Sequence, residues 1–312
     1  MATRGVLHPY TERLVAFEHS SSMPAWANTF PNTLLWIGGL GDGLLTVKYP
    51  KAIAKRLPPD WVLAEVLLSS SYKGWGTGSL KRDAKQLAKC VEYFKELRPD
   101  RKIVLMGHST GCQDIMEYLV GEGHAERPGI DGAILQAGVS DRECMVAEVP
   151  PDVYNGAVAL ARKMTDEGNG GNVMPRDEIS KLFGGIMTAS RFLSLASPDK
   201  NGADDYFSSD LEDSQLEATF GKIKKENPMM FLFSGADQHI PAFVDRVALV
   251  KRWTEAVKKG GGVVDDMNGG VILDAHHNLN EDSDEVVQNL VQRVMGFLHG
   301  VNCEAFTSPT KL

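Results

Sequence analysis

Short apolar runs recur along the chain, each closed by glycine or a polar turn. TLLWIGG (33–39), WVLAEVLLS (61–69), KIVLMG (102–107), GAILQAG (132–138) and MMFLFSG (229–235) lack a polar face. Runs of this kind fit strands covered on both sides in a parallel sheet. Between them the spacing turns helical. Residues 79–97 place Leu80, Ala84, Leu87, Ala88, Val91 and Phe94 mostly on one face. Residues 284–298 place Val286, Val287, Leu290, Val291, Val294, Met295 and Leu298 at i, i+3, i+4, the stripe of a helix lying on a core. Ser283 and Asp284 suit the start of that helix, and Pro241 suits the first turn of another running to about Lys259. Strand–helix alternation predicts an α/β chain with a doubly wound, mostly parallel sheet.

One region breaks the alternation. From Asp141 to Asn227 no strand pattern stands out, and Gly-rich or acidic pieces such as DEGNGGN and DKNGADDYFSSDLEDSQLE take its place. A stretch this long is not a simple loop. It predicts a partly helical cap or lid insertion over residues 141–227, with the core domain formed by 1–140 and 228–312.

Composition narrows the function classes. The chain has 312 residues, 43% of them hydrophobic, enough to bury a sizeable core. Asp and Glu number 41 against 33 Lys and Arg, with no basic stripe, which argues against nucleic acid as a partner. No run approaches the roughly 20 apolar residues of a membrane span. Glu12 and Glu18 interrupt the N-terminal stretch where a secretory signal needs an apolar run, so a cytoplasmic protein is expected. The C-terminal Thr310-Lys311-Leu312 is one residue from the peroxisomal S-K-L address and keeps that location as the alternative. Cys90, Cys112, Cys144 and Cys303 are scattered without zinc spacing and are expected to be free thiols. No metal or other cofactor is expected: there is no H-E-x-x-H, and Leu44 stands where G-x-G-x-x-G from Gly39 needs glycine.

Candidate chemistry begins at G-H-S-T-G, residues 107–111. The pattern alone is weak, but here it follows a buried strand and opens a helix, the setting of a nucleophile elbow with Ser109 at its tip. Gly107 and Gly111 remove side chains that would clash across so sharp a turn. His108 is expected to pack or support, and Cys112 to be a small core residue. The Gly-rich WIGGLGDG (36–43) suggests the Leu40 and Thr110 N–H groups as an oxyanion hole, with Gly39 as the alternative to Leu40. Asp237, just past the strand 229–235, can orient a histidine, and His239 is expected to line a loop or lie on the surface. In DAHHNL (274–279) adjacent rings on an extended loop point to different sides. One of the two histidines can therefore meet both Ser109 and Asp237. The chain order Ser–Asp–His is that of the α/β-hydrolase triad.

WIGGLGDGL, SSSYKGWGTGSL, GHSTGCQDIMEYL, DGAILQAGVSDRE and SGADQHIP together resemble a fungal α/β-hydrolase family that includes siderophore esterases. The resemblance runs from about residue 5 to 300 and departs at Gly138, where proline is expected. It implies the α/β-hydrolase fold and a cytoplasmic serine esterase acting on fusarinine-type hydroxamate siderophores, with release of iron. It also implies a triad of Ser109, Asp237 and the histidine before Asn-Leu, which is His277. His276 is then expected at the rim or in a supporting place. The expected partner is a small-molecule ester, a ferric siderophore among the candidates. Tyr72, Trp75, Asp141 and His276 are candidates for substrate contact. The acidic residues Asp204, Asp205, Asp210, Glu212 and Asp213 are candidates for attracting a cationic substrate. Two other readings use the same residues: a carboxylesterase, lactonase or thioesterase on another small substrate, and a non-catalytic ligand-binding scaffold.

Overall fold

In a computed structural model of the chain, residues 2–20, 30–176 and 185–306 are described. The C-terminal tripeptide Thr310-Lys311-Leu312 lies outside these residues. Eight strands form one sheet: β1 (Gly5–Pro9), β2 (Val15–His19), β3 (Asn32–Ile37), β4 (Trp61–Val66), β5 (Ile103–His108), β6 (Gly132–Gln136), β7 (Met229–Ser234) and β8 (Gly270–Ile272). Their order is β1-β2-β4-β3-β5-β6-β7-β8. From β4 to β8 all neighbours run parallel, while β2 pairs antiparallel with both β1 and β4.

The apolar runs become strands because both of their faces are covered. All residues of β3, β4, β5, β6 and β7 are buried. The pleat divides them between two layers. Leu35, Ile37, Leu105, Leu135, Phe231 and Phe233 face one core, and Leu34, Trp36, Val104, Met106, Ile134 and Leu232 face the other. Three helices cover the first core: α2 (Leu80–Leu97), α3 (Thr110–Val120) and α8 (Arg246–Lys259). On the second lie α1 (Tyr49–Ala54) and α9 (Asp284–Asn302).

Helix ends follow ordinary capping chemistry. The Ser79 side chain accepts from the Arg82 N–H at the start of α2, and Ser283 accepts from Val286 at the start of α9. The helix expected from Pro241 instead begins at Arg246. Asp245 accepts from the N–H groups of Val247 and Ala248 and fixes that start, leaving Pro241 in the preceding turn. The N-terminal hairpin of β1 and β2 carries no continuous apolar run, and the sequence reading passes over it.

Between β6 and β7 the described chain is partly helical: α4 (Asp141–Glu148), α5 (Pro151–Asp166), α6 (Ala189–Ala196) and the short α7 (Asp213–Ala218). Met145, Tyr154, Val158, Met174, Phe192 and Leu195 form a third apolar cluster, against which Leu40 and Trp75 pack. No described helix is long and apolar enough to cross a membrane.

Candidate active site

The site lies at the C-terminal ends of the parallel strands, where loops leave the sheet. Ser109 follows β5 directly and adopts φ 53°, ψ −123°, a region a residue with a side chain holds only at a cost of about 1–3 kcal/mol. Neighbours enforce it. The Ser109 N–H donates to the Gln136 carbonyl at 3.0 Å, and its own carbonyl accepts from Cys112 at 2.8 Å. A Cβ on Gly107 would come within 2.4 Å of the Gly111 carbonyl oxygen, and one on Gly111 within 2.3 Å of the Ile37 oxygen. Glycine is therefore required at both places. Cys112 is fully buried beneath the turn.

The His277 ring stands between Ser109 and Asp237. Its Nδ1 lies 2.7 Å from Asp237 Oδ2, and its Nε2 lies 2.8 Å from Ser109 Oγ. A carboxylate accepts only, so Nδ1 carries the proton and Nε2 presents its lone pair to the hydroxyl. The other Asp237 oxygen accepts from the His239 N–H at 2.9 Å, which fixes the carboxylate. His276 points elsewhere: its Nδ1 lies 2.6 Å from Asp282 Oδ1, and its side chain is 60% exposed. The two adjacent histidines thus have separate carboxylate partners on opposite sides of the loop.

The glycine loop after β3 is braced by Asp42. Its Oδ2 accepts from the Gly39 N–H at 2.9 Å, and Thr46 Oγ1 donates to its Oδ1. The Gly39 donor is therefore taken. Among the described residues the Leu40 N–H has no partner, and the Thr110 N–H, first in α3, has no carbonyl available within its helix. Leu40 lines the open cleft together with Ser109, and Thr110, next to Ser109 in the chain, lines a small adjoining cavity that Leu40 and Gly39 also border. A Cβ on Gly39 would approach Ser109 Cβ to 2.6 Å.

Sequence reasoning missed the residue that ties these parts together. Gln136, at the end of β6, is fully buried. Its Oε1 accepts from Tyr49 Oη at 3.0 Å and lies 2.6 Å from His108 Nδ1. Its Nε2 donates to Ser234 Oγ and to the His277 carbonyl, each at 3.2 Å. Trp36 Nε1 donates in turn to Tyr49 Oη at 2.9 Å. His108 packs within this network, stacked on Trp36 with its ring centroid 4.9 Å from that of His277. Burial, followed by the neighbouring His277, pushes its pKa down to about 4. A polar residue inside an otherwise apolar strand, GAILQ, was the available signal.

The cleft above Ser109 has a volume of about 380 Å³. One wall comes from α4 through Asp141, Cys144, Met145 and Glu148, and His239 contributes from the loop after β7. His239 packs edge-on against His277 with 4.7 Å between ring centroids. Burial and His277 lower its pKa. Burial, then the Asp204 charge, raises the Asp141 carboxyl to about 7.

Of the four residues expected to meet substrate, the cleft receives Asp141 alone. Tyr72 is turned aside, its hydroxyl accepting from the Leu44 N–H at 3.0 Å. Trp75 packs on the apolar cluster of α4–α6 and borders the small cavity behind the glycine loop. His276 is held outward by Asp282. The acidic residues of 204–213 are also largely engaged. Asp204 pairs with Arg191 at 2.6 Å, Asp205 and Asp210 with Arg142, and Asp213 with Arg252 at 2.7 Å. Four of the five carboxylates named for attracting a cation are thus paired with cationic partners, and Glu212, without an ion pair among the described residues, caps α7 instead. Gly138 packs beneath Phe207, whose ring a Cβ would approach to 3.0 Å.

Residues 1–299 match a sequence family described as a protein of unknown function (DUF1749). The chain belongs to this family. It is similar to the fusarinine C esterase of Aspergillus fumigatus, with 38% identity covering 94% of this chain and 95% of that protein. An esterase of Emericella nidulans is likewise 38% identical over 98% of this chain and 95% of its own. Among solved structures, the siderophore hydrolase EstB from Aspergillus fumigatus superimposes with a TM-score of 0.80 at 38% identity, covering 96% of this chain and 98% of that one. A soluble variant of the Saccharomyces cerevisiae monoglyceride lipase, at 11% identity and TM-score 0.58 with 96% of both chains covered, shows the same fold. The family member described here is an α/β hydrolase and, by its kinship with these relatives, an esterase.

Proposed function

We propose that the chain is a serine esterase that hydrolyses ester bonds of fusarinine-type hydroxamate siderophores. The observation that carries the reading is the aligned set Ser109, His277 and Asp237 at 2.8 and 2.7 Å on a strained elbow. The substrate class rests on the names of the relatives at 38% identity.

The chemistry follows from the geometry. His277 Nε2 takes the Ser109 proton as Oγ attacks the ester carbonyl, and Asp237 holds the imidazole in the required tautomer. Leu40 and Thr110 N–H groups receive the oxyanion, since Asp42 already occupies the Gly39 donor. The alcohol leaves with the proton from His277. Water, deprotonated by the same ring, then cleaves the acyl-enzyme and restores Ser109. Residues 141–227 act as a cap that shapes the cleft through α4. The enzyme is assigned to the cytoplasm, and an N-terminally tagged chain found in peroxisomes would reject that assignment.

The test compares ferric and iron-free fusarinine-type esters with nitrophenyl esters and lactones. Siderophore esters should be the better substrates by kcat/KM. Ser109→Ala should lose hydrolysis by a factor on the order of 10⁴ or more with an unchanged circular dichroism spectrum. Hydrolysis retained in Ser109→Ala would reject the mechanism. Siderophore esters left intact while simple esters are cleaved would reject the substrate.

A further inference from the structure

The three side chains at the mouth of the cleft form a set that the esterase chemistry does not use. Cys144 and Glu148 are four residues apart on α4 and so share one face of the helix. His239 reaches the same point from the loop after β7. One ligand atom from each, the Cys144 Sγ, a Glu148 carboxylate oxygen and a His239 ring nitrogen, lies within 4.8 Å of the other two. All three residues border the cleft that holds Ser109 and His277. Glu148 is exposed, so an ion can arrive from solvent.

We propose that Cys144, Glu148 and His239 bind a divalent transition-metal ion of the zinc type, and that the bound ion inhibits the esterase. One thiolate, one imidazole and one carboxylate are a borderline-soft donor set. It selects zinc-like ions over magnesium or calcium, which require oxygen ligands in larger number. Three protein ligands leave the fourth tetrahedral position to water. On binding, the Cys144 thiol gives up its proton to solvent and a sulfur–metal bond forms, with no change in oxidation state. Inhibition follows from place. The ion sits across the approach to Ser109, and coordination holds His239, which lies against His277. The ion is placed as an inhibitor and not as a cofactor, because the Ser109, His277 and Asp237 chemistry uses none of its three ligand side chains.

The test uses the full-length protein, stripped of metal, with Zn²⁺ alone as the probe and Mg²⁺ as control. Equilibrium dialysis should show one tightly bound Zn²⁺ per chain and no Mg²⁺. Cys144→Ala and Glu148→Gln should each weaken Zn²⁺ binding at least tenfold, while Ser109→Ala leaves it intact. Co²⁺ in place of Zn²⁺ should give a thiolate-to-metal charge-transfer band that Cys144→Ala removes and Cys303→Ala keeps. Cys303 is the control because its sulfur lies 3.6 Å from His299 Nε2, a rival surface pair. Stoichiometric Zn²⁺ should suppress ester hydrolysis at least tenfold, reversed by chelator, with each variant compared with its own metal-free rate. The inhibition arm rests on the esterase reading, whereas the dialysis and cobalt arms stand without it. Binding absent, or lost with Cys303 and not with Cys144, would overturn the site. Binding without inhibition would overturn its role.

Discussion

The two sides of the cleft are built in opposite ways. The strand-end side is held rigid, with the Leu40 and Thr110 N–H groups left open: Ser109 is pinned by Gln136, His277 by Asp237 and Gln136, and the glycine loop by Asp42. The α4 side presents Asp141, Cys144 and Glu148 with partly open surfaces. Fixed groups suit a reaction whose charge develops at one point, because donors already in place need no reorganisation. Looser side chains suit recognition, where partners differ. The contrast sets a rigid strand-end side against a more open α4 side.

That contrast can be broken by substitution. The largest effect is expected from Asp237→Asn on the fixed side. The amide cannot hold the working tautomer of His277, and kcat should fall by about 10⁴. A fall of less than tenfold would show that Asp237 does not orient the ring. Next is Asp42→Ala, which frees the Gly39 N–H and unpins the loop. A loss of about 10² in kcat with little change in KM is expected, approaching that for one lost oxyanion donor. A change confined to KM would place Asp42 with substrate binding instead.

On the α4 side, Asp141→Asn tests stability. The Asp141 carboxyl keeps its proton in the folded protein up to about pH 7, whereas in the unfolded chain it ionises near pH 4. Between those values the native state holds the extra proton. Stability therefore falls as pH rises through the window, and the loss is complete above about pH 7. Asp141 borders the cleft and keeps some solvent contact. The amide should accordingly add about 1 kcal/mol in urea unfolding at pH 8 and nothing at pH 4. An equal gain at both values would mean that the charge is not its source. The smallest effect belongs to His276→Ala, whose outward ring pairs with Asp282. Its kcat should stay within about twofold of the parent, in the range of a surface change; a loss near that of Asp237→Asn would refute the assignment of His277.

The sequence was informative where local rules dominate. Strands buried on both faces read as unbroken apolar runs, and five of the eight in the sheet were visible that way, with the last flanked by the histidine loop. Ser109 and Asp237 each sit at a strand end, where chain order and turn chemistry mark them, whereas the choice of His277 over His276 was implied by the resemblance alone. What escaped depends on tertiary pairing. The hairpin of β1 and β2 is half exposed and carries no run. Gln136 looks like any polar residue until Tyr49, His108 and His277 surround it. Tyr72 and Trp75 share one loop, yet the first folds back on Leu44 and the second packs under α6, which no spacing reveals. The acidic run 204–213 suggested free charge because its arginine partners lie outside it, Arg191 13 residues from Asp204, Arg252 39 from Asp213 and Arg142 63 from Asp205.

Ser109 and His277 are separated by 168 residues. Bringing groups so far apart in the chain together costs loop-closure entropy that local contacts do not. The ring is held by a loop that leaves β8, a strand of three residues at the sheet edge. A nascent chain that has completed the elbow but not this edge carries the serine without its base. Hydrolytic competence therefore requires this edge strand to be in place, so activity recovered during refolding reports completion of the site in addition to collapse of the core.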